Sequence, residues 1–242
     1  MRGSYGPVKL LPFGLVLKLG KLGAAEEAQT IHFIQKHTQI PLPRVILSVS
    51  GIWNHYMLMK HVDGELLQSK WKGLSREQRE NVINQLRSIV EQLRSLPTPQ
   101  PPAVSALNNK PCLDGRVAGN RTFGPFRTVA EFHDHLIDVS KFYMAEDDLQ
   151  RIRSQMSDKY RIVFTHGDLA PRNIFLKGDK IVALIDWEHA GWYPEYWEYT
   201  KAKFCHNLNE VWDDAIQEIV PQDYEREWQL DKQLSDRIMG PI

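Results

Sequence analysis

Three oxygen-bearing side chains that could bind a metal ion and its phosphates lie close together in the second half of the chain. Asp168 and Asn173 fall within residues 163–176, which read VFTHGDLAPRNIFL, and Asp186 follows in IDWE at 185–188. Short apolar runs flank both stretches and predict strands joined by a loop. If those strands form a hairpin, the three side chains meet near one point.

Hard oxygen donors of this kind favour Mg²⁺ and disfavour zinc. Mg²⁺ binds one or two protein carboxylates and takes phosphate oxygens for much of its remaining shell. Without a cation, the carboxylates of Asp168 and Asp186 would repel each other, and one of them would tend to hold its proton. The set therefore indicates metal-assisted phosphoryl transfer.

Phosphoryl transfer also needs a cation on the phosphates, and the first part of the chain can supply one. Lys18 interrupts the apolar strand predicted over 15–19, so it must reach water or meet an anion. Residues 24–36 predict a helix with Glu27 on the same apolar face as Ile31. Glu27 is thus the candidate partner of Lys18, and an exposed lysine with solvated glutamates is the alternative.

The composition indicates an ordered protein whose net charge does not attract polyanions. The 242 residues are 42% hydrophobic, and 30 basic residues balance 30 acidic ones. We therefore predict neither a nucleic-acid nor a membrane partner. Cys112 and Cys205 lack metal-ligand spacing, and no apolar run reaches the roughly 18–20 residues of a membrane span. We expect a soluble cytoplasmic protein without an obligate protein partner.

The remaining pattern predicts a small sheet followed by a larger, mostly helical part. Ser75 and Gln78 have capping-box spacing at the start of the clearest helix, and Asp63-Gly64 is a candidate hinge. Predicted strands cover 8–11, 15–19, 44–49, 53–59, 160–165, 174–176 and 181–186, and predicted helices cover 24–36, 75–96, 129–143, 145–156 and 208–219.

Two further expectations concern the middle of the chain. The Pro-, Gly- and Asn-rich residues 97–126 predict an irregular segment on the surface. His133 and His135 could bind a metal, but residues two apart on a helix point to different sides, so a solvated pair is the favoured interpretation.

The two chemistry-bearing motifs resemble those of the aminoglycoside phosphotransferase family, which are small-molecule kinases with a protein-kinase-like fold. His-Gly-Asp-Leu-x-x-x-Asn at 166–173 is similar to the family's catalytic loop, and Ile-Asp at 185–186 to its metal-binding motif. Lys18, the helix with Glu27 and the hinge at 59–64 precede them in the family's order.

This resemblance implies a fold class and a division of the chain. The fold would be α+β and two-lobed, with a small N-terminal β-sheet lobe carrying one helix and a larger, mainly helical C-terminal lobe. The nucleotide-binding lobe would comprise residues 1–62, and the catalytic and substrate lobe residues 63–242.

The resemblance also implies a role for each site residue. Asp168 would position the acceptor hydroxyl and take its proton, Asn173 and Asp186 would bind Mg²⁺, and His166 would brace the loop. Lys18, paired with Glu27, would contact the α- and β-phosphates of ATP. The Lys60 carbonyl and the Val62 amide would bond adenine, with Met59 lining the pocket.

The implied activity is transfer of the γ-phosphoryl group of ATP to a hydroxyl of a small molecule. Protein kinases are less similar, because the loop reads His-Gly-Asp, the metal motif reads Asp-Trp-Glu and no Ala-Pro-Glu follows. Only seven residues precede Val8, with Gly3 and Gly6 as the possible remnant of a phosphate loop. This short first lobe raises the alternative of an incomplete chain or a non-catalytic kinase-like binding module.

The identity of the acceptor is open at this level. Acidic residues near the C-terminus could line a pocket for a cationic substrate, and a solvated helix face explains them equally well. They are Glu210, Asp213, Asp214, Glu218, Asp223, Glu225 and Glu227.

Overall fold

A computed structural model describes residues 8–20, 24–51, 54–118, 121–204 and 209–239. Its first part is an antiparallel sheet in the order β1-β2-β4-β3. The strands are β1 (Val8–Leu11), β2 (Leu15–Gly20), β3 (Val45–Ser50) and β4 (His55–Lys60). Several predicted features lie outside the described residues, namely Gly3, Gly6, the strand start at Trp53, Cys205 and the helix start at Leu208.

Helix α1 (Ala24–His37) covers one face of this sheet. Ile31 and Ile34 on the helix and Met57 on β4 are fully buried there. Lys18 pairs with Met57 across β2 and β4, and directly opposed residues of antiparallel strands point to the same face. The strand register therefore directs Lys18 towards the buried side beneath α1.

The chain leaves β4 through β5 (Glu65–Leu66) and the short helix α2 (Leu67–Lys70) to reach α3 (Arg76–Arg94). The predicted capping box is confirmed: Ser75 Oγ accepts the N–H of Gln78 at 3.2 Å, and Gln78 Oε1 accepts the N–H of Ser75 at 2.9 Å. The apolar stripe of α3 is buried, as its periodicity predicts. It comprises Val82, Ile83, Leu86, Ile89, Val90 and Leu93.

The prediction of a surface loop over 97–126 is wrong in part. This segment contains β6 (Ser105–Ala106), β7 (Cys112–Leu113), the short helix α4 (Gly115–Ala118) and β8 (Thr122–Phe123). Val104 and Cys112 are fully buried. Two-residue strands are too short to give a periodic signal, so composition alone misjudged a segment whose scattered apolar residues reach the core.

The strands that carry the chemistry form a hairpin and a neighbouring pair. β9 (Ile162–Thr165) pairs with β12 (Gly191–Pro194), and β10 (Ile174–Lys177) pairs with β11 (Lys180–Leu184) through a turn at Gly178-Asp179. The Asp168 loop connects β9 to β10, and Asp186 follows β11. Both motifs therefore lie at strand ends, as predicted.

Helices make up most of the rest. They are α5 (Val129–Ser140), α6 (Glu146–Gln155), α7 (Trp197–Lys203), α8 (Asn209–Ile219) and α9 (Glu225–Met239). The predicted α+β architecture, a small antiparallel sheet joined to a larger helical portion, is confirmed. Helices α7 and α9 were not predicted from the sequence.

The expectation of a solvated histidine pair on α5 is wrong. His133 is 1% exposed; its Nδ1 lies 2.8 Å from Asp158 Oδ1 and its Nε2 lies 2.8 Å from Tyr196 Oη. His135 is half-buried, with its ring stacked on Phe123. Burial lowers the pKa of both histidines. Because both ring nitrogens of His133 contact protein groups, that histidine stabilises the packing of α5.

Candidate active site

Lys18 lies at the centre of a cluster of three acids. Its Nζ is 2.7 Å from Glu27 Oε2, 2.6 Å from Asp186 Oδ1 and 3.5 Å from Glu188 Oε2. The contact with Glu27 is an ion pair by its distance, but its angles do not meet the criteria for a hydrogen bond. Strand β2, helix α1 and the turn after β11 each supply part of the cluster. The Lys18–Glu27 pair implied by the resemblance is therefore present.

The turn that carries the two other acids is anchored by Trp187. Its side chain is 1% exposed, its Nε1 donates to the Leu184 carbonyl at 2.9 Å, and its backbone N–H donates to Glu27 Oε1 at 3.4 Å. Asp186 adopts a left-handed conformation with φ of 68°, which aspartate tolerates better than most residues. This backbone brings Asp186 and Glu188 to the same ammonium group.

The charges in this cluster do not balance. Burial opposes the charge of Lys18, but Glu27, Asp186 and Glu188 outweigh burial and raise its pKa. Burial raises the pKa of Glu188 to about 7, against the attraction of Lys18. Burial likewise raises the pKa of Glu27, whereas Lys18 overcomes burial at Asp186 and lowers its pKa. Three acids facing one ammonium group make a site suited to an added cation.

The donor set fits a divalent metal with a preference for oxygen. One oxygen from each of Glu27, Asp186 and Glu188 lies within 4.8 Å of the other two. Carboxylate oxygens are the ligands that Mg²⁺ takes from proteins. Glu188 was missed in the sequence, although its position two residues after Asp186 was a usable signal.

Asp168 is held by two residues of its own loop. Arg172 Nη2 donates to Asp168 Oδ1 at 2.5 Å, and Asn173 Nδ2 donates to Asp168 Oδ2 at 2.8 Å. Asn173 Nδ2 also donates to the Asp168 carbonyl at 2.9 Å, which leaves the amide oxygen as the atom of Asn173 that could bind a cation. A 3₁₀ turn over Pro171–Asn173 brings both partners back to Asp168.

His166 connects the Asp168 loop to the Asp186 turn. Its Nδ1 accepts the backbone N–H of Asp168 at 3.1 Å, and its Nε2 donates to the Ile185 carbonyl at 3.0 Å. Burial lowers the pKa of His166 to about 4, so the ring is neutral and can accept and donate at once. The geometry agrees with the bracing position implied for His166.

Glu198 on α7 supports the same loop and was missed in the sequence. It is 3% exposed; its Oε2 accepts the N–H of His166 at 2.7 Å and its Oε1 accepts the N–H of Gly167 at 3.2 Å. Burial raises the pKa of Glu198 to about 7, although both N–H groups favour the charged form. The sequence did offer a signal for it: Glu198 interrupts the aromatic run at 196–199, as Lys18 interrupts its apolar strand, and a charged residue in such a run requires a partner.

Gly167 has to be glycine for two reasons. Its φ is +77°, and a Cβ atom at this position would lie 2.6 Å from the His189 carbonyl oxygen. A side chain here would therefore require both an unfavourable backbone conformation and a shift of the neighbouring backbone.

The three predicted adenine-binding residues lie at the end of β4. Met59 is half-buried and Lys60 is exposed. The N–H of Lys60 donates to the Arg44 carbonyl at 2.9 Å. Within the part of the chain that is described, the N–H of Val62 makes no backbone hydrogen bond. Their contact with adenine stays a prediction.

The C-terminal acids differ in exposure and in their partners. Asp213 is half-buried, near Lys203 and Glu225. Asp214, Glu218 and Asp223 are exposed. Glu225 accepts from Lys203 at 2.9 Å, and Glu227 accepts the hydroxyl hydrogen of Tyr160; Glu210 lies where side chains are not described. The exposed members fit the solvated helix face better than a pocket for a cationic substrate.

Comparison with known proteins identifies the family. The model of the phosphotransferase enzyme family matches residues 14–235. The comparison with curated proteins found no significant match. Among the described residues, no helix has the length and apolar character to cross a membrane.

Solved structures share the fold at low sequence identity. ADP-bound aminoglycoside phosphotransferase APH(2'')-Ib has a TM-score of 0.68 at 13% identity, with 99% of this chain and 84% of that chain covered. A variant of thermostable APH(4)-Ia with AMP-PNP and hygromycin B has a TM-score of 0.66 at 14% identity, with 99% and 86% covered. An aminoglycoside-3'-phosphotransferase of type VIII has a TM-score of 0.59 at 16% identity, with 91% and 83% covered. Because the family model spans most of the sequence, the chain belongs to the phosphotransferase enzyme family.

Proposed function

We propose that the protein transfers the γ-phosphoryl group of ATP to a hydroxyl of a small molecule, with Mg²⁺ and with Asp168 as the base. The observation that carries this proposal is the position of Lys18, 2.6 Å from Asp186 and 2.7 Å from Glu27. The Asp168 loop joins this cluster through His166. A lysine held by a glutamate, an acidic metal site and a separate carboxylate are the parts that phosphoryl transfer requires.

Asp168 and Lys18 have different roles in the proposed reaction. The acceptor oxygen forms a bond to the γ-phosphorus while the bond to the bridging oxygen breaks, and that electron pair leaves with ADP. Asp168 orients the acceptor hydroxyl and takes its proton. Lys18 exchanges part of its carboxylate contacts for oxygens of the α- and β-phosphates.

Residues of the Asp186 turn and of the Asp168 loop together offer oxygen ligands for a Mg²⁺ ion. Asp186, the adjacent Glu188 and the amide oxygen of Asn173 are the groups that would hold it, whereas Glu27 would stay paired with Lys18. When bound, the ion neutralises phosphate charge and so supports transfer. The excess negative charge around Lys18 supports this assignment, because a cation offsets the mutual repulsion of the three acids.

The nucleotide and the acceptor are proposed at different levels of detail. Family relatives were solved with ADP and with AMP-PNP, which supports ATP as donor, with Met59, Lys60 and Val62 at adenine. Other relatives were solved with hygromycin B and streptomycin. For this chain we propose only a small-molecule hydroxyl as acceptor, because no hydrogen bond or ion pair among the described residues joins the C-terminal acids to the Asp168 loop.

The proposal is tested by separating nucleotide binding from turnover. We expect Mg²⁺-dependent ADP binding and ATP consumption that rises with an acceptor from a panel of sugars, polyols and amino alcohols. Asp168→Asn should lower turnover roughly 100- to 1,000-fold, the usual effect of removing one preorganised group, while ADP binding is retained. Asp186→Asn should instead remove the Mg²⁺ dependence of ADP binding.

Asp138→Asn is the matched control, because Asp138 is an exposed aspartate that pairs with Lys141 on α5 and its boundary. It should change neither quantity. Nucleotide binding with turnover indifferent to Asp168 would contradict the proposed base. Binding with no Asp168-dependent turnover on any acceptor would instead favour a non-catalytic binding protein.

A further inference from the structure

Arg172 forms an ion pair with the carboxylate that the proposed function assigns as base. Its Nη2 lies 2.5 Å from Asp168 Oδ1, four residues back along the chain. The side chain of Arg172 is 34% exposed and that of Asp168 is 14% exposed. The guanidinium group therefore lies at the accessible edge of the site, where a bound acceptor can meet it.

The position of this pair limits where an acceptor can approach. A hydroxyl that gives its proton to Asp168 must come within about 3 Å of one carboxylate oxygen. Asn173 bonds Oδ2 and Arg172 bonds Oδ1, so the hydroxyl has to share an oxygen with one of them. The guanidinium group is then a close neighbour of the oxygen that attacks the phosphorus.

Lys18 and Arg172 differ in what they can offer a transferring phosphoryl group. The side chain of Lys18 is 9% exposed and faces three carboxylates at the metal end. Arg172 has a planar fork of donors that matches phosphate oxygens in pairs. The exchange replaces a carboxylate oxygen with a phosphoryl oxygen, so the guanidinium group keeps an anionic acceptor for its charge-assisted hydrogen bond.

We propose that Arg172 is a catalytic residue, which moves from Asp168 Oδ1 to the equatorial oxygens of the phosphoryl group as that group is transferred. This inference rests on the proposed function. As the new O–P bond forms, the bridging bond to ADP breaks and the hydroxyl proton passes to the carboxylate oxygen that Arg172 has released. The same movement frees the base and stabilises the charge that spreads over the phosphoryl oxygens.

The test uses aluminium fluoride, which with Mg²⁺-ADP mimics the transferring group and requires no known acceptor. Calorimetric titrations compare the full chain with Arg172→Ala and Arg172→Lys. We expect Mg²⁺-ADP to bind all three within about threefold of each other. Aluminium fluoride should tighten ADP binding in the unchanged chain, and Arg172→Ala should lose about 100-fold of that tightening, as expected for the loss of one preorganised donor. Arg172→Lys should lose less.

Arg76→Ala is the matched control, because Arg76 forms an i,i+4 ion pair with Glu80 on exposed helix surface; it should behave as the unchanged chain. Equal tightening by aluminium fluoride in the unchanged chain and Arg172→Ala would overturn the inference, as would no tightening in the unchanged chain. Absence of Mg²⁺-ADP binding in the unchanged chain would instead remove the proposed function itself. If Arg172→Ala does not fold, Arg172→Lys and Arg172→Gln decide on the same criterion.

Discussion

Lys18 and Asp168 mark two ends of the candidate site that the chain builds in different ways. Lys18 meets Asp186 across 168 positions of sequence, and its cluster consists of buried charges from three separate elements. Asp168 is held by residues four and five positions away, and its backbone N–H donates to His166 Nδ1. One end depends on tertiary packing, and the other is largely a local structure.

This difference has an energetic consequence. Buried charges stabilise a fold only while each is compensated, so the Lys18 end is sensitive to any loss of charge. At the Asp168 end, the backbone N–H groups of His166 and Gly167 donate to Glu198. Removing this acceptor would leave two buried donors unsatisfied, which costs free energy. Substitutions at the two ends should therefore fail in distinguishable ways.

The largest effect is expected for Lys18→Met. It removes the ammonium group and leaves the acids of Glu27, Asp186 and Glu188 buried together, and loss of one partner from a buried ion pair costs about 3–5 kcal/mol. The free energy of unfolding in urea, measured without divalent metal, should fall by that amount. Mg²⁺ should recover part of the loss, because the acids that remain can bind it.

Lys177→Met provides the control for that measurement. Lys177 also pairs with an acid, Asp63, but its side chain is 69% exposed, and such exposed pairs contribute little to stability. If Lys18→Met were no more destabilised than Lys177→Met, the buried acids would not depend on Lys18 for their stability.

The sequence revealed the Lys18 end through single anomalies. A lysine in an apolar strand and a glutamate on an apolar helix face each required a partner, and their pairing followed. The contact of Asp186 with Lys18 was not predicted, because residue type and spacing grouped Asp186 with Asp168 and Asn173 instead. The division of the chain after residue 62 stays a prediction, as do the roles at adenine.

What the sequence did not reveal depends on contacts between distant elements. Glu198 lies on a helix that the aromatic run concealed, and its value comes from two backbone N–H groups more than 30 positions earlier. His133 was misjudged because helix periodicity gives a face but not the neighbours packed on it. Short strands such as β7 carry no period, so tertiary contacts alone fix them.

Glu198→Ala should have the next largest effect and should act on the Asp168 end. It leaves the N–H groups of His166 and Gly167 without their acceptor, and each such buried group costs about 1–3 kcal/mol. We expect the free energy of unfolding to fall by about 2–4 kcal/mol, partly relieved by water. Turnover of ATP should fall more than Mg²⁺-ADP affinity, since the loop and not the metal end is disturbed. A proportional loss of both would argue against this division.

Glu198→Gln should change how the free energy of unfolding depends on pH. The pKa of Glu198 is raised from 4.5 to about 7, so between these values the folded chain keeps a proton that the unfolded chain has released. The free energy of unfolding of the unchanged chain therefore falls as pH rises through this window, by on the order of 3 kcal/mol in total. The glutamine cannot titrate, so the difference in unfolding free energy between the two chains should follow this curve and level off above about pH 8. A difference independent of pH would mean that Glu198 is already charged at pH 5.

The smallest effect is expected for Lys110→Ala, which tests the neighbour of Glu27 on the same helix. Glu26 pairs with Lys110 at 2.9 Å, but the two side chains are 34% and 40% exposed, whereas Glu27 and Lys18 are 2% and 9% exposed. Water screens the outer pair, so its loss should lower the free energy of unfolding by less than about 1 kcal/mol and leave the Mg²⁺ dependence of ADP binding unchanged. A loss as large as that of Lys18→Met would mean that the acids of α1 act as one network. The distinction between the buried Lys18 cluster and the exposed ion pairs around it would then be wrong.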